Sequence, residues 1–378
     1  MDVPVSPTSW MERLDAQRQD IRGQGLYRCR RVLNGRQGVR IQIDGQTLTN
    51  FSSNDYLGLA GDSRLEASLV KAAAQYGVGS GAAHLICGHS VAHHQLEEEL
   101  AEFLGRERVL LFSTGYMANL GVLSALLGRN GWVYEDRLNH ASLLDGARLS
   151  GATLKRYAHA SLPDIRQEQG PYSLIATDGV FSMDGDLMDG KALASVAAVS
   201  GAILMVDDAH GIGVLGKTGA GVLELQGLGP NDVPILVGTL GKAFGTFGAF
   251  VAGSEVLIEF LIQKARTYIY TTAMPAAIAE ATRTSLRLVQ EESWRREHLK
   301  GLISRFRAGA QSLGLALGES ASPIQPVLVG DSRSAVSAQT RLLDAGFLVV
   351  AIRPPTVPKG TARLRCPLTA RHAVEDID

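Results

Sequence analysis

The sequence predicts an α/β protein: a large domain with a mostly parallel central sheet, plus a smaller α+β C-terminal domain. Three observations lead there. Apolar runs of strand length recur without polar alternation, as in RVLLF (108–112), SLIATDGVFS (173–182), AILMVDD (202–208) and PILVGTL (234–240). Such runs mark strands covered on both faces, and hence a largely parallel sheet. The first two lead into helical patterns, YMANLGVLSALLG and MDGKALASVAAVS, the alternation of a layered α/β domain. After about residue 285 the texture changes to a charged helix and short strand-like pieces.

In chain order, residues 1–50 read as a helix, TSWMERLDAQRQDIRGQG, followed by short strands in VRIQIDGQTLTNF. Residues 51–285 form the expected large domain. Within it, HHQLEEELAEFLG sets Leu96, Leu100 and Leu104 at i, i+4 and i+8, an amphipathic helix with one core-facing stripe. GSGAAH (79–84) and GTFGAF (245–250) are expected to be loops where glycine lets backbone lie against a ligand. Residues 286–378 are expected to be the small domain, with QEESWRREHLKGLISRFRAGAQSL as its helix and PIQPVLVG, GFLVVAIRPP and ARLRCPLT as strands. TARHAVEDID reads as a helix only begun, so that domain is expected to be truncated.

Composition narrows the function classes. A content of 45% hydrophobic and 20% charged residues is that of a globular protein. The formal net charge of -1 gives no bulk attraction to nucleic acid or anionic lipid. No apolar run approaches the ~20 residues of a membrane span, and MDVPVSPTSWMERLD lacks the pattern of a signal peptide. Cys29, Cys87 and Cys366 have no paired spacing, which fits a reducing cytoplasm rather than a disulfide framework. His84, His89, His93 and His94 lack an HExxH pattern, so no metal site is expected. YRCRR (27–31) reads as a solvated face carrying one functional arginine.

Ligands of open α/β sheets sit beyond the carboxyl ends of the strands, and polar groups gather there. Asp207 and Asp208 close AILMV, with His210 two residues on; Thr239 and Lys242 follow PILV; STGYMANLG follows RVLLF; Ser182 follows LIATDGVF. A lysine set among glycine and apolar residues, GTLGKAFG, either snorkels to solvent or is buried for its chemistry. The full set suits pyridoxal 5'-phosphate. A helix N-terminus around Gly115 and Tyr116 would receive its phosphate. Lys242 would meet its aldehyde. Asp207 would keep its pyridine nitrogen protonated, so that the ring can draw electrons from a substrate carbanion.

From NFSSNDYLGLA through GVGSGAAHLICGHSVAHHQLEEELAEFLG, DRLNHASLLDGARLS, GVFSMDGD, MVDDAHGIGVLG and GTLGKAFG to YTTAMP, the chain resembles the α-oxoamine synthases, a family of fold-type I pyridoxal phosphate transferases. AIRPPTVPKGTARLRCPLTARH (351–372) resembles the branch that condenses L-alanine with a pimeloyl group carried on coenzyme A or acyl carrier protein. Sister branches that use glycine with another acyl-CoA, and a non-catalytic cofactor-binding protein, are the alternatives. The resemblance implies that Lys242 carries the cofactor and serves as general base, with Asp207 on the pyridine nitrogen and His210 on the phenolic oxygen. It further implies that His140 stacks on the ring, that Gly115, Tyr116 and Thr239 hold the phosphate, and that Ser182 touches the cofactor. Asn54 and Arg353 would bind the amino-acid carboxylate, while Arg28 and Thr356 would contact the acyl substrate. Family active sites lie at a homodimer interface, where Thr271 and Thr272 would serve the neighbouring subunit's phosphate. Ile212 stands where relatives often carry threonine.

Overall fold

The computed structural model describes residues 7–24, 26–165 and 172–378. Residues 1–6, on which the expected absence of a signal peptide partly rests, and Gly25, at the end of the expected first helix, lie outside them.

Seven strands form the central sheet. Their spatial order is Arg108–Phe112, Ala249–Gly253, Ile235–Thr239, Ile203–Asp207, Ser173–Asp178, Trp132–Asp136 and Thr153–Tyr157. The last five run parallel, and Ala249–Gly253 runs antiparallel to both of its neighbours. Successive side chains of a strand point to opposite faces. Leu204 and Val206 therefore enter one hydrophobic core and Met205 the other, which is why the run reads as continuously apolar. Strands buried on both sides need helices on both sides. The helix Gly115–Leu126 packs on Ala141–Ser150 at close range, because a Cβ at Gly146 would lie 2.8 Å from Leu123 Cδ1 and 3.0 Å from the Asn119 carbonyl oxygen. The helix Val91–Leu104 buries Leu96 and Leu100 completely, at about 1.5–3 kcal/mol for each such side chain, while Leu104 stays half-buried.

The expected loop over 245–250 needs correction. Ala249 and Phe250 begin the strand Ala249–Gly253 and are wholly buried. The glycines ahead of them, with positive φ at Gly245 and Gly248, make the turn into it. A strand covered on both faces has no polar alternation to announce it, and the glycine-rich lead-in hid this one. GSGAAH runs instead into a single π-helical turn, His84–Gly88.

The two ends of the chain share a small sheet. Leu33–Asn34, Arg40–Ile43 and Gln46–Asn50 form an antiparallel meander, and Phe347–Leu348 adds in parallel beside Gln46–Asn50. Ile41, Ile43, Leu48 and Leu348 form its own core. Ile324–Gly330, Ala362–Pro367 and Val350–Ile352 form a third, antiparallel sheet. The helix Ala276–Glu291 runs through residue 285, Trp294–Ser312 follows it, and the last element is the short helix Val374–Ile377. Ile212 is buried in the main core. Among the described residues no helix is long and apolar enough to cross a membrane.

Candidate active site

The carboxyl ends of the central strands deliver the site. Asp136, Asp178, Asp207 and Thr239 are each the last residue of their strand. Lys242 follows Thr239 in a loop, and the helix Gly115–Leu126 begins just beyond Arg108–Phe112.

Lys242 is half-buried, with its head turned inward rather than snorkelled: its Nζ lies 3.0 Å from Nε2 of the buried His210. Burial pushes its ammonium down to about 8, against the upward pull of the Asp207 and Asp178 carboxylates. His210 is itself buried, and burial together with the lysine charge holds its pKa well below the usual imidazole range. A neutral imidazole donates at one nitrogen and accepts at the other. His210 Nδ1 lies 2.7 Å from the hydroxyl of Tyr56, which is 3.2 Å from Asn54 Oδ1, and Arg365 Nη2 donates to that same oxygen at 3.1 Å. With Lys242 charged, the chain runs in one sense: ammonium to Nε2, Nδ1–H to Tyr56, Tyr56 hydroxyl to Asn54. A continuous polar wire therefore joins Lys242 to Arg365.

A second network sets Asp207 and His140. Asn119 Nδ2 donates to Asp207 Oδ2 at 2.6 Å and to Ser142 Oγ at 2.8 Å. Ser142 Oγ lies 2.7 Å from His140 Nδ1, and the Ser142 N–H donates to that nitrogen at 3.3 Å. Nδ1 is thus the acceptor, so the His140 proton sits on Nε2. The His140 main-chain N–H is held by Asp178 Oδ2 at 3.0 Å. His140 is exposed toward the cleft, yet burial of its inner face lowers its pKa despite the nearby Asp207. Asp208 points the other way. It is fully buried, its Oδ2 accepts the Val222 N–H at 2.7 Å, and a Cβ at Gly211 would come within 2.1 Å of its carboxylate. Of the adjacent pair, one faces the site and the other ties the following loop.

At the start of Gly115–Leu126, Thr114 Oγ1 accepts the Met117 N–H at 3.1 Å. No described residue accepts from the N–H groups of Gly115 or Tyr116, and a Cβ on Gly115 would meet nothing within 4 Å. Unfilled space over free N–H donors at a helix N-terminus suits an anion. The Tyr116 hydroxyl turns aside to Asp145, while its ring stands edge-on to His140 at 6.4 Å. Thr239 Oγ1 donates to the Gly248 carbonyl at 3.1 Å.

His140, Ser182 and Thr356 line one cavity of about 850 Å³. The Ser182 carbonyl accepts from Arg365 Nε at 2.6 Å. Arg353 is half-buried and directly precedes the cis Pro354–Pro355 pair, and its carbonyl takes the Thr356 N–H at 3.0 Å. Arg28 is exposed; its neighbours Cys29 and Arg31 line a separate cavity with Asn54 and Gly241. Thr271 and Thr272 are not among these lining residues: Thr272 bridges Ala83, beside the 79–84 loop. In that region His84 and His89 approach at 2.9 Å, and the ligand atoms of His89, His94 and Glu97 come within 4.8 Å of one another, a convergence the spacing did not reveal.

Sequence reasoning missed Tyr56, Asn119, Ser142, Asp178 and Arg365. Asn119 carried a signal: it stands one turn inside the helix from Gly115, on the face that looks toward Asp207.

The class I and II aminotransferase model matches residues 46–378. An 8-amino-7-oxononanoate synthase of Thioalkalivibrio sulfidiphilus is 59% identical over 97% of this chain and 95% of that protein. The serine palmitoyltransferase K265A of S. paucimobilis, solved with a bound PLP–myriocin aldimine, superposes with a TM-score of 0.90 at 31% identity, over 98% of this chain and 96% of that one. The crystal structure of 8-amino-7-oxononanoate synthase from Francisella tularensis gives a TM-score of 0.76 at 32% identity, over 87% of this chain and 94% of that one. The chain belongs to the class I and II aminotransferase family, and within it to the 8-amino-7-oxononanoate synthases.

Proposed function

We propose that the chain condenses L-alanine with a pimeloyl thioester, on coenzyme A or acyl carrier protein, releasing carbon dioxide, the free carrier thiol and 8-amino-7-oxononanoate for biotin synthesis. The observation that carries this reading is the 59% identity to a synthase of that name across nearly the whole chain. The geometry is consistent with pyridoxal phosphate: an inward-turned, half-buried lysine of lowered pKa, a buried carboxylate at Asp207, and an open helix N-terminus. When bound, the cofactor supplies an electron sink for negative charge at the α-carbon of the amino acid.

The chain's own residues do the rest. Lys242 would hold the cofactor and move the α-proton of alanine; near pH 8 a large share of its amine is neutral and able to accept. Asp207, oriented by Asn119, would pair with the ring nitrogen, and His210 would hydrogen-bond the phenolic oxygen. His140 would stack on the ring, with its Nε2–H left to donate to a substrate oxygen. Gly115, Tyr116 and Thr239 would hold the phosphate, and Ser182 would touch the cofactor. Asn54 and Arg353 orient the alanine carboxylate, and Arg28 and Thr356 contact the acyl substrate. We further infer a cytoplasmic homodimer, in which Thr271 and Thr272 serve the partner's phosphate site; the unpaired cysteines support the compartment.

Product mass after incubation with L-alanine and pimeloyl-CoA tests the assignment. The expected result is 8-amino-7-oxononanoate. Faster turnover of glycine with succinyl- or acetyl-CoA would overturn it.

A further inference from the structure

The cavity that holds His140 and Ser182 also carries four basic side chains: Arg137, Arg156, His159 and Arg363. Two of them are neutralised. Arg363 pairs with Asp184, and His159 lies 3.1 Å from Asp136 and 2.8 Å from Asp186. Arg156 donates through Nη2 to the Arg137 carbonyl. The Arg137 side chain is exposed to the cavity, and no described residue hydrogen-bonds or pairs with its guanidinium. Glu319 lines the same cavity and enters no ion pair among the described residues. The cavity therefore presents a guanidinium whose donors are all available, with a second arginine bonded to its backbone.

We propose that Arg137, supported by Arg156, receives the far carboxylate of the acyl substrate, and so selects a dicarboxylic monothioester over a fatty acyl chain of equal length. This rests on the reaction proposed above. Three peptide units separate Arg137 from His140, so their Cα atoms lie at most ~11 Å apart. The six carbon–carbon bonds of an extended pimeloyl chain span about 7 Å, as two extended residues do. An acyl carbon reacting beside His140 thus leaves its far end within reach of the long arginine side chain. A guanidinium matches a carboxylate with two parallel hydrogen bonds. A methyl end group would leave that cation unpaired and offers it nothing in return.

The test compares kcat/KM for pimeloyl-CoA and heptanoyl-CoA, each with L-alanine, in the unsubstituted enzyme, Arg137→Gln and Arg137→Lys. Arg137→Gln is expected to lower the pimeloyl value by about 10- to 100-fold and to leave the heptanoyl value unchanged, and Arg137→Lys to recover part of the loss. Equal losses for both thioesters would assign Arg137 to the carrier or to the fold and overturn the proposal, as would no loss for either. Arg28→Gln is the control for the second cavity: a larger collapse of the pimeloyl preference there than at Arg137 would also overturn it. Failure of the underlying reading shows separately, as absence of product from pimeloyl-CoA with the unsubstituted enzyme.

Discussion

His210 and His159 both stand at the carboxyl edge of the seven-stranded sheet, and the protein drives them to opposite charge states. His210 is fully enclosed, with Lys242 against one nitrogen and Tyr56 against the other, so it is held neutral. His159 is only partly enclosed and is gripped by Asp136 and Asp186, which raise its pKa to about 10. The same side chain becomes a neutral relay in one place and a permanent cation in the other. Burial without an anion disfavours charge, and two carboxylates restore it. In the proposed reaction the first setting serves chemistry, because a neutral neighbour lets Lys242 shed its proton. The second serves the frame, because it ties the strand ending at Asp136 to the turn that carries Ser182.

Lys242→Ala should have the largest effect: kcat falls by about 10³-fold or more, and the visible absorption of bound cofactor changes, while far-UV circular dichroism does not. Asp207→Asn should lower kcat by roughly 100-fold, with cofactor still bound. Ser142→Ala removes the closer of the two donors to His140 Nδ1, leaving only the main-chain N–H at 3.3 Å, and so loosens the tautomer; a fall of about tenfold in kcat with little change in KM is expected. His159→Gln should alter turnover least and show itself in stability. The folded pKa of about 10 exceeds the ordinary 6.5, so its stabilisation is full below pH 6.5 and is lost as pH rises through 10. Denaturant titrations should find the variant weaker by on the order of 2 kcal/mol near pH 6, after discounting for partial exposure, with the gap closing by pH 10. A constant gap across that range would break the contrast with His210.

Residues whose meaning lies in local pattern were legible in the sequence: the apolar runs, the N-terminal turn at Gly115, Asp207 and His210 in DDAHG, and Lys242 in its glycine setting. What escaped depends on long-range contact. Asn119 reaches Asp207 across 88 residues of chain, and Tyr56 reaches His210 across 154. No periodicity encodes such pairs. The charge of His159 was equally hidden, because its two carboxylates come from other strands and turns. Which of Asp207 and Asp208 faces the site follows from strand alternation, whereas the burial of Asp208 against glycines appears only in three dimensions.

In the proposed reaction the Lys242 amine, and no other in the chain, is the nucleophile at these strand ends. Borohydride reduction of the cofactor-loaded protein, followed by digestion and peptide mass analysis, tests it most directly. The account predicts a phosphopyridoxyl mass on the peptide containing Lys242, with capture in the unreduced protein rising with pH up to about 8 and then levelling. The same mass on a different lysine, or capture that keeps climbing toward the ordinary lysine range near 10.5, would contradict it.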